Sequence, residues 1–318
     1  MANEAVTFGE AMVLLLAEPG VPLRSATSFR RSVAGAESNV AVGLARLGHR
    51  VGWFGRVGAD LFGEVVLAAL RAEDVDVSRA IVDEQSPTGL LLRDCHPERP
   101  IEVIYHRRGS AGSRLSPPDV DTAWLAGTRL LHVTGISCVL STSAHEAVLA
   151  AVQAAKLAGG AVSFDPNVRR KLIAPEQAVR RMRPVVEMAD VVLAGADEAA
   201  LLTGTSDRLR AAEWFHKHGT STVILKEGAS GAWGSDQETV HSEPARKVTA
   251  RDPLAQETPL LPGSCRAGFA GCRLRPRWAR RPWWRPPSCR CQPTSTGSQQ
   301  RPSVTPWWPV VKECPDDR

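Results

Sequence analysis

The chain has 318 residues, 43% of them hydrophobic and 23% charged, which suits a globular protein and excludes a wholly disordered one. That length accommodates one large α/β domain or two small ones, and no stretch approaches the roughly 18 uninterrupted apolar residues of a membrane span. The net charge of +5 is unevenly spread: residues 1–252 hold 28 Lys+Arg against 30 Asp+Glu, whereas residues 253–318 hold 11 against 4. The tail also carries 12 of the 23 prolines, 5 of the 9 tryptophans and 5 of the 7 cysteines, so the basic character belongs to it alone. The acidic start runs straight into a strand-like segment, reads as no secretory signal, and predicts a cytoplasmic enzyme or binding protein.

Through residue 252 strand-like and helix-like runs alternate. Ala5 to Phe8 reads as a strand closed by Gly9, and Ser38 or Asn39 as the cap of a helix through Val40, Leu44 and Leu47 that Gly48 stops. Val51 to Phe54 is the next strand, and Asp60 caps a helix carrying Val66, Leu67 and Leu70. Ser116-Pro117 is an N-cap and first-turn pair. Strand Leu130–Val133, helix Ser143–Leu157, strand Ala161–Phe164, strand Val191–Ala194, helices on either side of Thr203-Gly204, and strand Thr222–Leu225 follow. Strands separated by such helices predict βαβ units and a mainly parallel sheet flanked by helices. Residues 12–33 and 88–107 lack intervening helices and are expected to pair as a small β-lid over the carboxyl ends of the strands, where open α/β sheets bind ligands. From Pro253 onward, Pro-Arg-Trp runs such as Arg281-Pro282-Trp283-Trp284-Arg285 have neither helical nor strand period, so the tail is expected to be irregular.

Ala34-Gly35-Ala36-Glu37-Ser38-Asn39-Val40-Ala41 joins a glycine turn to a helix start, which brings backbone N–H groups and an amide to a polar ligand. On local pattern alone an ordinary capped helix is the favoured reading. The following Gly-Leu-Ala-Arg-Leu-Gly and Gly55-Arg56-Val57-Gly58-Ala59-Asp60-Leu61-Phe62-Gly63 extend it into a long stretch that resembles the first motif of the ribokinase-like (PfkB-type) carbohydrate kinases. Tyr105-His106-Arg107 with Gly109-Ser110-Ala111 resembles the substrate-facing lid segment of the 2-keto-3-deoxygluconate kinase branch. Phe164-Asp165-Pro166-Asn167-Val168-Arg169 is similar to a segment shared by that branch and by fructokinases. Lys226-Glu227-Gly228-Ala229-Ser230-Gly231 is similar to the strand and turn beside the nucleotide. The resemblance covers residues 1 to about 253.

It implies a ribokinase-like fold that uses ATP and Mg²⁺ to phosphorylate the primary hydroxyl of a small sugar or sugar acid. Gly35, Ala36, Asn39, Tyr105, Arg107 and Arg169 would hold the sugar, and Lys226, Gly228 and Gly231 the nucleotide. Arg offers a planar fork for a sugar acid's carboxylate, and Arg107 and Arg169 are the two candidates, a surface ion pair being the bland fate of either. Tyr105 donates to a sugar oxygen or packs in the lid. The acidic residue expected after the first strand is sought in Met12 to Leu16, which hold no carboxylate; this disfavours ribose. In Gly195-Ala196-Asp197-Glu198 the family's leading Asn is replaced by Gly195; Glu198 either orders water around Mg²⁺ or is an exposed helix-start residue. The resemblance also leaves open a homodimer through the lid.

Cys95 and Cys138, the only cysteines before the tail, point to a reduced compartment and no metal site, and Cys289-Arg290-Cys291 has the wrong spacing for a zinc knuckle. The tail is the one segment whose composition suits nucleic acid, which is not an expected partner of the rest. The resemblance also predicts Gly-Ala-Gly-Asp after Asp252: a helix start that stabilises the transferring phosphoryl, and an Asp base for the sugar hydroxyl. The chain instead reads Leu254-Ala255-Gln256-Glu257-Thr258-Pro259-Leu260-Leu261-Pro262-Gly263-Ser264. Written as CAG GAG ACG CCT TTG CTG CCG GGT TC, after an Ala255 codon ending in G, residues 256–264 regroup one base earlier as GCA GGA GAC GCC TTT GCT GCC GGG TTC. That frame encodes Ala-Gly-Asp-Ala-Phe-Ala-Ala-Gly-Phe, and Pro253 and Leu254 as CCA and CTG place Thr-Gly before it. Third bases are free choices, whereas nearly all first and second bases are fixed by the observed residues. The expectation is that one base has been lost within codon 253, and that residues 253–318 are a frame-shifted, non-homologous tail lacking the base; Glu257 does not replace it, because Thr258-Pro259 cannot form the glycine turn.

Overall fold

The computed structural model describes residues 2–95, 100–169 and 172–245. The chain enters through β1 (Ala5–Phe8), leaves the main sheet for β2 (Met12–Ala17) and β3 (Phe29–Ala34), and returns through α1 (Ala36–Arg46) to β4 (Val51–Phe54). Next come β5 (Arg56–Gly58), α2 (Leu61–Ala72), β6 (Val75–Asp76), β7 (Ile81–Asp83), β8 (Leu90–Arg93) and β9 (Val103–His106). Then α3 (Thr122–Ala126), β10 (Leu130–Thr134), α4 (Gly135–Leu140), α5 (Thr142–Leu157), β11 (Ala161–Asp165) and α6 (Pro175–Val186) lead to β12 (Val191–Gly195). α7 (Ala196–Thr203), α8 (Arg208–Lys217), β13 (Thr222–Lys226), β14 (Ala232–Ser235) and β15 (Val240–Glu243) complete the described fold.

Nine strands form one sheet in the order β15-β14-β13-β12-β11-β10-β1-β4-β6, parallel except for the β13–β14 and β14–β15 pairs. A second sheet, β3-β2-β8-β9, is the expected lid, built from residues 12–34 and 90–106. Alternation along the strands sorts the cores. Val6, Leu131 and Val162 share a register row, as do Phe8, Val133 and Phe164, and both rows pack on α4, α5 and α6. Ala5, Val51 and Trp53 face the opposite way, onto α1 and α2.

Several boundaries differ from the sequence expectation. α1 begins at Ala36 rather than after Ser38 or Asn39: the Asn39 amide already donates to the Gly35 carbonyl at 2.9 Å, so both residues lie in the first turn. α5 starts at Thr142 with Ser141 as its cap, its hydroxyl accepting from the Ala144 amide at 2.9 Å. β11 and β13 each run one residue further, to Asp165 and Lys226, which places those two side chains at the strand ends. α4 and the β14–β15 hairpin have no sequence counterpart in the expectation, since six residues are too few to show a helical period. The expected irregular tail, residues 253–318, lies outside the described residues.

Candidate active site

From β1 the chain passes to β4 on one side, while β10 and β11 lie on the other, so the strand order switches between β1 and β10. The crevice beyond the carboxyl ends at such a point is where an α/β sheet takes a ligand. Glu10 follows β1 there, Thr134 ends β10, Asp165 ends β11, Gly195 ends β12 and Lys226 ends β13.

On the lid side, Gly35 stands where an added Cβ would lie 2.6 Å from the Glu10 carbonyl, so only glycine lets the start of α1 approach β1 so closely. Ala36 and Asn39 are partly buried in the first turn of α1, and the side-chain amide of Asn39 has no hydrogen-bond partner among the described residues. Glu37 is buried; its Oε1 accepts from Thr134 Oγ1 at 2.7 Å and Ser137 Oγ at 2.8 Å. Burial pushes its carboxyl above the ordinary range, against the pull of those two hydroxyls and of Arg107.

Arg107, at the end of β9, is buried, forms an ion pair with the buried Glu10 carboxylate, and lies 5.6 Å from the centre of the exposed Tyr105 ring. Ser110 Oγ donates to the other Glu10 oxygen. Residues 12–16 hold no carboxylate; the first charged residue after β1, which ends at Phe8, is Glu10, and it faces an arginine. Arg169 stands differently. It is partly buried, and its guanidinium has no ion-pair or hydrogen-bond partner among the described residues.

On the other side, Lys226 Nζ lies 2.9 and 3.0 Å from the two Asp165 carboxylate oxygens and 3.9 Å from Glu198 Oε2. Burial raises the Asp165 carboxyl above its ordinary range, the Lys226 ammonium opposes this, and Glu198 adds to the rise. Lys226, expected beside the nucleotide, thus clasps the end of β11. Glu198 is neither exposed nor idle: its Oε1 accepts from the Val168 amide at 2.8 Å and its Oε2 from the Gly195 amide at 2.7 Å, fixing the Pro166–Val168 turn against the start of α7. Each oxygen keeps a lone pair, enough for the water-mediated hold that Mg²⁺ favours. Gly228 and Gly231, with φ of 56° and 107°, shape the turn between β13 and β14 in conformations that glycine alone takes readily. His132, buried beneath this cluster, pairs through Nδ1 with Ser163 Oγ at 3.1 Å; burial and the Lys226 ammonium hold its pKa down to about 3, so the ring is neutral. Neither His132 nor Asp165 was singled out from sequence; a polar residue inside an otherwise apolar strand was the available signal. The position expected for the general base, after Asp252, lies outside the described residues.

No described helix is long and apolar enough to cross a membrane. Residues 2–255 match the family model described as pfkB family carbohydrate kinase. A 2-dehydro-3-deoxygluconokinase of Bacillus subtilis (strain 168) is 40% identical over 236 residues, 73% of this chain and 72% of that one. A second, of Thermoproteus tenax, is 35% identical over 254 residues, 78% and 76% of the two chains. The crystal structure of a putative ribokinase II from E. coli in complex with ATP and Mg²⁺ superposes with a TM-score of 0.75 at 27% identity, covering 80% of this chain and 83% of that one. With the family model spanning the sheet, the lid and the crevice between them, the chain belongs to the pfkB family of carbohydrate kinases, ATP-dependent enzymes that phosphorylate sugars.

Proposed function

We infer that the chain is the sugar-binding body of a kinase that passes the γ-phosphoryl of ATP to the primary hydroxyl of a sugar acid, 2-keto-3-deoxygluconate. The observation that carries this reading is the pair of arginines at the crevice. Arg107 is buried under the lid, and Arg169 has no counter-ion among the described residues, so a carboxylate would find a guanidinium there. Gly35, Ala36 and Asn39 would meet the sugar from the start of α1, and Tyr105 from the lid. The names of the two relatives, both 2-dehydro-3-deoxygluconokinases, favour the same substrate class. The Phe164–Arg169 segment fits fructokinases as well, so fructose is the second reading.

ATP and Mg²⁺ are the expected co-reactants. The Gly228–Gly231 turn would border the nucleotide, and Glu198 would hold the metal through water; the bound metal would neutralise phosphate charge.

Phosphoryl transfer itself needs the Gly-Ala-Gly-Asp segment, which this sequence lacks. The family match ends at residue 255, two residues beyond the codon where we place the lost base. The chain from Pro253 onward is, in this reading, the same message decoded out of frame, and the body binds sugar without turning it over. A cytoplasmic location and a dimer through the lid belong to the same proposal. Calorimetry with 2-keto-3-deoxygluconate and fructose, beside an ATP-coupled assay, tests it: the sugar acid binds more tightly and turnover is negligible. Normal turnover refutes the incomplete-site reading, and equal binding of the two sugars refutes the sugar acid.

A further inference from the structure

Glu10 carries chemistry that the sugar-kinase reading does not use. A carboxylate 2% exposed is costly unless paired, and this one is paired twice from a single segment: Arg107 meets one oxygen and Ser110 Oγ the other. Both partners belong to the stretch that leaves the lid after β9, whereas Glu10 belongs to the end of β1 in the main sheet. That stretch is closely packed against it: a Cβ at Gly112 would lie 2.5 Å from Glu10 Cγ, and the Ala111 amide donates to the Pro87 carbonyl at 2.8 Å. The guanidinium is thereby tied to the sheet rather than only to the lid. Arg107 Nε, also buried, has no hydrogen-bond partner among the described residues, so its N–H is a donor that Glu10 does not use.

We propose that Glu10 is the positioning residue of the sugar-acid subsite, its carboxylate holding the Arg107 guanidinium so that the unused Nε–H selects a charged sugar over a neutral one. This rests on the sugar-acid reading given above. The charge of Arg107 is already balanced by Glu10, so its share in recognition is directional, and Arg169 supplies the unbalanced charge. Moving the Glu10 oxygens by one methylene, or replacing one with an amide that donates toward the arginine, turns the guanidinium away from that direction.

The test is calorimetric titration of the full chain with 2-keto-3-deoxygluconate and with fructose, in the wild type, E10Q, E10D, R107Q and E10Q/R107Q. The readout is the ratio of the two dissociation constants. The expected result is a wild-type preference for the sugar acid that falls about tenfold in E10Q and in E10D, although E10D keeps the charge. The double variant loses no more than R107Q alone, because Glu10 acts through Arg107. If E10Q does not fold, E10D and S110A, which removes the other group on the same carboxylate, carry the measurement with the same expected fall. An unchanged ratio in E10D or E10Q, or losses that add in the double variant, overturns the role of Glu10. A wild type that binds neither sugar, or both equally, overturns the sugar-acid reading instead.

Discussion

The two sides of the crevice differ in how far their chemistry is assembled. On the lid side two polar groups stand near each other, Arg107 paired with Glu10 and Glu37 accepting from Thr134 and Ser137, every member supplied before residue 140. On the side of β12 and β13, the Asp165–Lys226–Glu198 cluster and a glycine turn stand ready, but the described fold stops at the β14–β15 hairpin without a group that takes a proton from a sugar hydroxyl. In the reading proposed above, sugar recognition and phosphoryl transfer are separable along this chain, the first encoded before codon 253 and the second after it.

The sharpest way to break that contrast is to restore one base in codon 253. The repaired chain is expected to phosphorylate 2-keto-3-deoxygluconate at least about 10²–10⁴-fold faster than the chain as it stands, measured by coupled ADP release. Equal rates for the two would mean that the missing segment is not what limits the site. A smaller effect follows from removing the Lys226 ammonium. K226M leaves Asp165 buried without its counter-charge and is expected to cost about 3 kcal/mol in denaturant unfolding; D165N in the same chain should recover most of that loss. Recovery of nothing would show the pair to be uncoupled.

The third expectation concerns acid. His132 is held neutral at a pKa of about 3 in the fold, against an ordinary 6.5, so the unfolded chain takes up a proton that the native one refuses. Stability is therefore lost as pH falls from about 6.5 toward 3, by up to about 1.4 kcal/mol per pH unit. H132N should flatten the curve in that window. Glu37 and Asp165, both raised, act in the opposite sense, so the difference between variant and wild type is the informative trace. The smallest effect is expected at Arg169. R169Q should leave the unfolding midpoint within about 0.5 kcal/mol of wild type, because no described residue pairs with it, while weakening sugar-acid binding.

Much of this was readable in advance. The glycine turn at Gly35, the Asp60 cap and the two lid stretches have local signatures, and they appear where expected; Asp60 accepts from the Gly63 amide at 2.8 Å. The partners of the charged residues were not readable. Arg107 and Glu10 are far apart in sequence and meet only because β9 and β1 both end at the crevice. Lys226 and Asp165 likewise belong to strands separated by β12, and their contact depends on each strand running one residue longer than its β-branched run suggested. For Glu198 the sequence left a metal-side role and a solvent-facing helix start equally open, because two backbone amides reaching back to one side chain leave no periodic trace.

The main sheet finishes at β15, whose inner side is bonded to β14 and whose outer side faces no described strand. Val240, Ser242 and Glu243 are exposed along it. An open row of backbone donors and acceptors recruits a matching row from another molecule. Among the described residues β15 is thus the margin of the main sheet at which a second chain would find a strand to extend, with Val240 at the point of first contact; the two-residue β6 at the opposite margin is too short to serve as such a template.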